Sequence, residues 1–380
     1  MSKTLTLGSL FDGSGGFPLA ATKCGIKPIW ASEIELFPLR VTQKNFPDVV
    51  QLGDIHKING GEIEPVDIIT FGSPCQDLST SGERAGLDGE KSSLFYEAIR
   101  VIKEMKEKTN GKYPRYLLWE NVRGTLSSNK GEDFRRILEE FIHLSDEKVI
   151  IPGLEKWKQA GLIVGGNHSL AWRILDSQYF GVPQRRKRIF LIVDTLGGRA
   201  GEILFEQKSV SGDFDEGTRG EKRVAKTVEN STRTTGVTQY LFDDCARDKR
   251  YPGPFSVCPT MKSSMGTGGG NKPLIVRATK QNKNYRVRAL KPLECGRLQG
   301  FPDNWCEDLG IDNPTDDELT FWRKMFDEDS RIRNLKRKKS DNQIRTWLKD
   351  PRTDSAEYKM WGNGVALPCV EYILERIVRE

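Results

Sequence analysis

The chain has 380 residues, 37% hydrophobic and 29% charged, which fits a soluble globular protein of two domains with a heavily charged surface. No run approaches the ~18 apolar residues of a membrane span, and the first residues enter a strand without a signal-peptide core, so a cytoplasmic location is expected. A net charge of +6, from 59 basic and 53 acidic residues, permits a polyanionic partner without requiring one.

The first half alternates between two periodicities. Leu5–Phe11, Pro28–Ser32, Val66–Phe71 and Tyr116–Trp119 read as strands, and Leu36–Asn45, Leu94–Lys106 and Asp133–Ile142 as helices. This alternation predicts a parallel, doubly wound α/β sheet. Ala171–Leu175 and Ile189–Val193 add two strands before the texture changes near residue 195. Beyond it the chain is rich in Gly, Ser and Asp, as expected of a smaller, mostly β domain. Val365–Val378 reads as a closing amphipathic helix. Between 304 and 354 an acidic stretch precedes the basic run Arg331–Lys339, the pattern of a solvated helical pair.

Seven cysteines are scattered without a Cys-x-x-Cys pair, and the three histidines are not grouped with them, so no metal site is expected. Reduced thiols leave room for a nucleophile. Cys75 follows the Val66–Phe71 strand in Gly72-Ser73-Pro74-Cys75-Gln76, at the carboxyl edge where open sheets bind ligands. Glu120 ends the Tyr116 strand at the same edge, where partial burial would raise its pKa and make it a proton donor. In Gln184-Arg185-Arg186-Lys187-Arg188, alternation sends Arg186 and Arg188 to one face, suiting phosphate or carbonyl oxygens. The turn Phe11-Asp12-Gly13-Ser14-Gly15-Gly16 lies between a strand and a helix, with Glu33 ending the next strand and Asp54 offering a third wall. That set indicates a nucleoside cofactor, leaving a dinucleotide and S-adenosylmethionine both open.

In order, these pieces resemble the motif set of the DNA cytosine-5 methyltransferases of bacterial or phage type. Phe11–Gly16 is similar to the cofactor loop, Gly72–Gln76 to the nucleophile motif, Glu120-Asn121-Val122 to the cytosine-binding motif and Gln184–Arg188 to the basic motif. Arg288–Asp303 resembles the helix that organises target recognition, and Gly362–Pro368 the last motif, which folds back on the cofactor. Pro18 departs from the basic residue often found there, and 304–358 is longer than in compact bacterial members.

The resemblance implies a Rossmann-like domain, 1–195 plus 355–380, that binds S-adenosyl-L-methionine. It implies a target-recognition domain over 196–354, with the charged insertion at 304–354. Cys75, Glu120, Arg186 and Arg188 would be catalytic, with Cys75 adding to carbon 6 of a flipped-out cytosine. Phe11, Gly13, Gly15, Glu33, Asp54, Ile55 and Asn363 would hold the cofactor. Gln76, Ser79, Ser81, Arg84, Lys91, Arg233 and Arg247 would contact double-stranded DNA, with Thr234, Thr235 and Lys262 as further readers, and the run 331–339 would touch its backbone. The expected enzyme is monomeric and bacterial or phage-encoded, with room for a separate restriction endonuclease. A tRNA cytosine methyltransferase, a DNA-binding protein with a relic site and a nicotinamide-dependent oxidoreductase are the competing readings.

Overall fold

A computed structural model describes residues 3–74, 93–205, 239–244, 250–262, 264–265, 271–278 and 285–379. Cys75, Gln76, Ser79, Ser81, Arg84, Lys91, Arg233, Thr234, Thr235 and Arg247 lie outside the described residues.

Eight strands form the main sheet: β1 (Thr6–Leu10), β2 (Lys27–Ser32), β3 (Val50–Gln51), β4 (Ile68–Phe71), β5 (Tyr116–Val122), β6 (Ala160–Val164), β7 (Ser169–Asp176) and β8 (Lys187–Asp194). Their order is β3-β2-β1-β4-β5-β8-β7-β6. The first five run parallel, but β8 pairs antiparallel with β5, β7 with β8 and β6 with β7. The sheet is therefore mixed, which corrects the wholly parallel expectation. The connections β6–β7 and β7–β8 hold no α-helix, and a direct return between neighbouring strands must be antiparallel.

Helices α1 (Gly16–Lys23), α2 (Leu36–Asn45), α3 (Ser93–Lys108) and α4 (Glu132–His143) follow β1, β2, β4 and β5. Side chains alternate across the strands, so Ile68 and Leu118 enter one core while Ile69, Phe71, Leu117 and Trp119 enter the other. The last helix, α10 (Leu367–Val378), packs on α1 and contributes Val370, Ile373 and Leu374 to the first core. Between them come α5 (Ala200–Leu204), α6 (Pro292–Gln299), α7 (Asp316–Ile332), α8 (Asp341–Lys349) and α9 (Asp354–Asn363). Strands β9 (Gln239–Phe242), β10 (Leu274–Ala278) and β11 (Tyr285–Ala289) make a separate antiparallel sheet.

The charged insertion is helical for readable reasons. Thr315 caps α7 in a capping box with Glu318, three acids occupy its first turn and Arg331 its last. Ser340 and Gln343 repeat the box on α8. The pair is not merely solvated, because Trp322, Leu319, Met325, Phe326, Ile344 and Leu348 form a third core that takes in Leu39 of α2. Among the described residues no helix is long and apolar enough to cross a membrane.

Strand order reverses between β1 and β4: the chain passes from β1 to β2 on one side and from β4 to β5 on the other. A crevice at the carboxyl ends of these strands is the position where open α/β sheets hold ligands.

Candidate active site

The turn after β1 has left-handed backbone at Phe11 (φ 53°), Gly13 (φ 59°) and Gly15 (φ 78°). Asp12 anchors it. Its amide donates to the Ser32 carbonyl at 2.9 Å, and its carboxylate accepts from the Ser9 hydroxyl at 2.6 Å and the Thr42 hydroxyl at 3.2 Å. Burial pushes the Asp12 carboxyl up to about 7, the neighbouring Glu33 charge adding to it against those hydroxyls. Glu33 Oε2 accepts the Gly13 amide at 2.7 Å, and Oε1 the amides of Ile34 and Glu35 at 2.8 Å. Burial raises its pKa as well, against these amide donors.

The turn after α9 closes on this loop. A Cβ on Gly16 would lie 2.6 Å from Val365 Cγ1, and one on Gly364 would lie 3.2 Å from Ser14 Oγ. Position 16 therefore requires glycine for the approach, and Gly364 leaves little room for anything larger. Trp305 Nε1 donates to the Ser14 carbonyl at 2.8 Å. Asn363 ends α9 exposed beside this contact, and the buried Ser14 hydroxyl has no partner among the described residues.

A nucleoside bearing an amino acid fits this set. Phe11 and Gly13 in the left-handed turn stay half-buried, Ser14 keeps an unused hydroxyl, and Glu33 has used three of about four acceptor directions. Asp54 is buried on the third wall. Its Oδ1 accepts the His56 amide at 3.1 Å and contacts His56 Nδ1 at 2.8 Å, while Arg331 reaches Oδ2 at 2.5 Å. Burial raises its pKa, but His56 and Arg331 outweigh that and leave the carboxyl below its usual range. Ile55 departs from expectation: its side chain packs into the second core, so only its main chain remains for a ligand.

The opposite wall joins three motifs. Glu120 lies near the end of β5 opposite Phe190, and Arg188 opposite Val122. Arg188 Nε comes within 3.2 Å of Glu120 Oε1, an ion-pair contact without hydrogen-bond alignment. Burial raises the Glu120 pKa, with Arg188 and Arg186 pulling the other way. A Cβ on Gly72 would be 3.3 Å from Glu120 Oε2, so the bare glycine three positions before Cys75 makes room for this carboxyl. Ser73 is tied in by the Trp119 indole at 3.3 Å.

Arg186 corrects the expectation of a second guanidinium facing the cleft. Only 2% exposed, it donates to the carbonyls of Met261 at 3.3 Å, Gly362 at 3.4 Å and Gly364 at 2.5 Å. Burial, with Arg188 alongside, pulls its pKa below the arginine range. Its role is to position the turn around Asn363. The strand start it belongs to is joined to the segment around Cys258, where the Arg185 and Cys258 amides donate to the Cys258 and Pro183 carbonyls. Lys262 pairs with Asp243 at 3.4 Å. Arg331, expected on a DNA backbone, is paired with Asp54.

Sequence reasoning gave no role to Asp12, Thr42, Ser14 and Trp305, and did not pair Arg331 with Asp54. The Ser9–Asp12 spacing was visible, but the other partners lie 30 to 291 positions apart and have no local signature. No group of three or more His, Cys, Asp or Glu among the described residues is placed to hold a metal ion.

A profile of the family described as C-5 cytosine-specific DNA methylase matches residues 5–309. The chain is 26% identical to a protein of Escherichia phage P1 named DNA N-6-adenine-methyltransferase; the match covers 99% of this chain and 61% of that longer relative. It is likewise 26% identical to the type II methyltransferase M1.ScrFI of Lactococcus lactis subsp. cremoris, covering 97% of this chain and 77% of the other. In fold it resembles the S. pombe Dnmt2 methyltransferase, with a TM-score of 0.56 at 17% identity over 98% of this chain and 97% of that one. With four-fifths of its length inside that profile, the chain belongs to the C-5 cytosine-specific DNA methylase family, whose methyl donor is S-adenosyl-L-methionine.

Proposed function

We propose that the chain methylates carbon 5 of a flipped-out cytosine in a specific duplex DNA sequence, through a covalent adduct of Cys75. The observation carrying this reading is the Glu120–Arg188 pair, at 3.2 Å, packed against Gly72 of the nucleophile segment. Domains 1–195 plus 355–380 and 196–354 would divide chemistry from target choice.

An unperturbed thiol is only a few per cent ionised at neutral pH, so addition needs charge relief on the base. The Cys75 sulfur forms its bond to carbon 6, and the carbon 5–carbon 6 π pair moves to carbon 5, making that carbon nucleophilic. Glu120, held toward its neutral form by burial, donates its proton to ring nitrogen 3 as negative charge develops there. Arg188 holds the carbonyl oxygen at carbon 2. The bound donor supplies an electrophilic methyl group on a sulfonium. Once carbon 5 carries the methyl group, its proton passes to water or a nearby base, the electron pair re-forms the ring double bond and expels the Cys75 thiolate, and Glu120 recovers its proton from nitrogen 3. Phe11, Gly13, Gly15, Glu33, Asp54 and Asn363 would hold the donor, with Arg186 fixing the turn around Asn363. Extruding the base costs roughly a few kcal/mol, which DNA contacts must offset.

Trapping with a 5-fluorocytosine duplex tests the reading, because fluorine cannot leave as a proton does and the adduct should persist. Wild type should form a denaturation-resistant complex and Cys75→Ser none. Mass spectrometry of nucleosides from treated DNA should find 5-methylcytosine; N6-methyladenine instead, the product matching the phage relative's name, or modification of tRNA alone, would overturn it.

A further inference from the structure

The insertion 304–354 is built onto the wall of the nucleoside crevice. Leu39 of α2 enters its core, and Arg40 of α2 donates to the Leu309 carbonyl at 2.8 Å. The end of α7 then grips the turn Gly53–Lys57 twice. Arg331 reaches Asp54 Oδ2 at 2.5 Å, and the buried Glu328 takes Lys57 at 2.6 Å. Gly53, at φ 71°, permits the approach, since a Cβ there would stand 3.1 Å from Glu328 Oε2. Lys359 of α9 closes on Glu35, two residues beyond Glu33, at 2.5 Å and 2.7 Å.

We infer that this insertion is a clasp on the donor pocket, and that Arg331 is a positioning residue that fixes the Asp54 carboxylate for the nucleoside end of the donor. This rests on the function proposed above. Asp54 is 3% exposed, and three donors on its oxygens leave one of about four acceptor directions open. His56 fixes Oδ1, and Arg331 alone among the described residues fixes Oδ2. Arg331 is itself 60% exposed, so the pair adds little to folding, and its removal should register in ligand binding more than in stability.

Calorimetric titration with S-adenosylhomocysteine tests this on the full chain. Arg331→Met should raise Kd about twofold to fivefold, the range of an ion pair whose cation is exposed, with little change in melting temperature. Donor KM should rise with kcat retained, and Arg331→Lys should recover part of the loss. Arg323→Ala removes the exposed Arg323–Asp341 pair elsewhere on the insertion and should leave Kd unchanged. In an Asp54→Asn background the Arg331→Met penalty should vanish. An unchanged or tighter Kd for Arg331→Met, or a penalty that persists in full beside Asp54→Asn, overturns the inference alone. Failure of wild type to bind S-adenosylhomocysteine overturns the functional reading with it.

Discussion

Glu120→Gln should separate catalysis from folding. Burial dominates the surroundings of Glu120, and the raised pKa means that the folded protein prefers this carboxyl neutral despite Arg188 at 3.2 Å. Between its unfolded value, about 4.3, and its higher folded value, the native state binds more protons, so stability falls as pH rises through that window. Once the pH exceeds the folded value, wild type carries the full penalty of a buried charge, and an uncharged isostere removes it. The variant should therefore melt no lower than wild type at pH 8, and the advantage should shrink as pH falls toward the unfolded value. Glutamine cannot release a proton to ring nitrogen 3. Loss of a general acid together with its electrostatic help costs about 10²- to 10³-fold in kcat, or roughly 2.7–4 kcal/mol of barrier. Methyl transfer to duplex DNA, followed beside calorimetric melting at several pH values, reads both quantities. A fall in melting temperature of more than about 2 °C, corresponding to roughly 1–2 kcal/mol in a chain of this size, would refute the burial argument. Activity within about tenfold of wild type would refute the proton-donor role.

Arg186→Met should lower unfolding free energy by about 2–4 kcal/mol in urea denaturation, because the carbonyls of Met261, Gly362 and Gly364 lose a charged donor inside the protein. Arg186→Lys should rescue little, since one ammonium cannot replace a planar fork spread over three acceptors. Asp12→Asn should flatten the pH profile of stability. The Asp12 carboxyl is raised to about 7, so wild type loses stability as pH climbs from about 4, the unfolded value, to about 7, and the amide removes that slope in melting curves at pH 5 and pH 8.

Much of the framework was legible. Helix α2 falls on the expected Leu36–Asn45, the strands preceding Glu33 and Gly72 end at Ser32 and Phe71 as expected, and the first strand stops one residue short of Phe11. Glu120 sits near the carboxyl end of its strand, at the expected edge. What the sequence concealed is what depends on pairing. β3 is two residues long, below any usable periodicity, and β6 alternates only weakly with three of its five residues exposed. The direction of β8 depends on how the chain returns, and it is the antiparallel return that places Arg188 opposite Val122 and beside Glu120.

The two arginines show where local reasoning stops. A spacing of two residues puts Arg186 and Arg188 on the same side, which is correct so far as both act on Glu120. Spacing carries no information about depth. Arg188 stays at the cleft because its neighbour there is a carboxyl from the adjacent strand, whereas Arg186 is covered by carbonyls from Met261 and from the turn at 362–364, up to 178 positions away. One guanidinium is thus available to a ligand, and the other is consumed in holding the cofactor-side turn against the sheet. The same logic governs Arg331, whose exposed, basic neighbourhood resembles a polyanion-binding run while its partner is a buried acid 277 positions earlier. In each case the role of the cation is decided by the acceptor that folding delivers to it, and the acceptor is the part a single stretch of sequence does not contain.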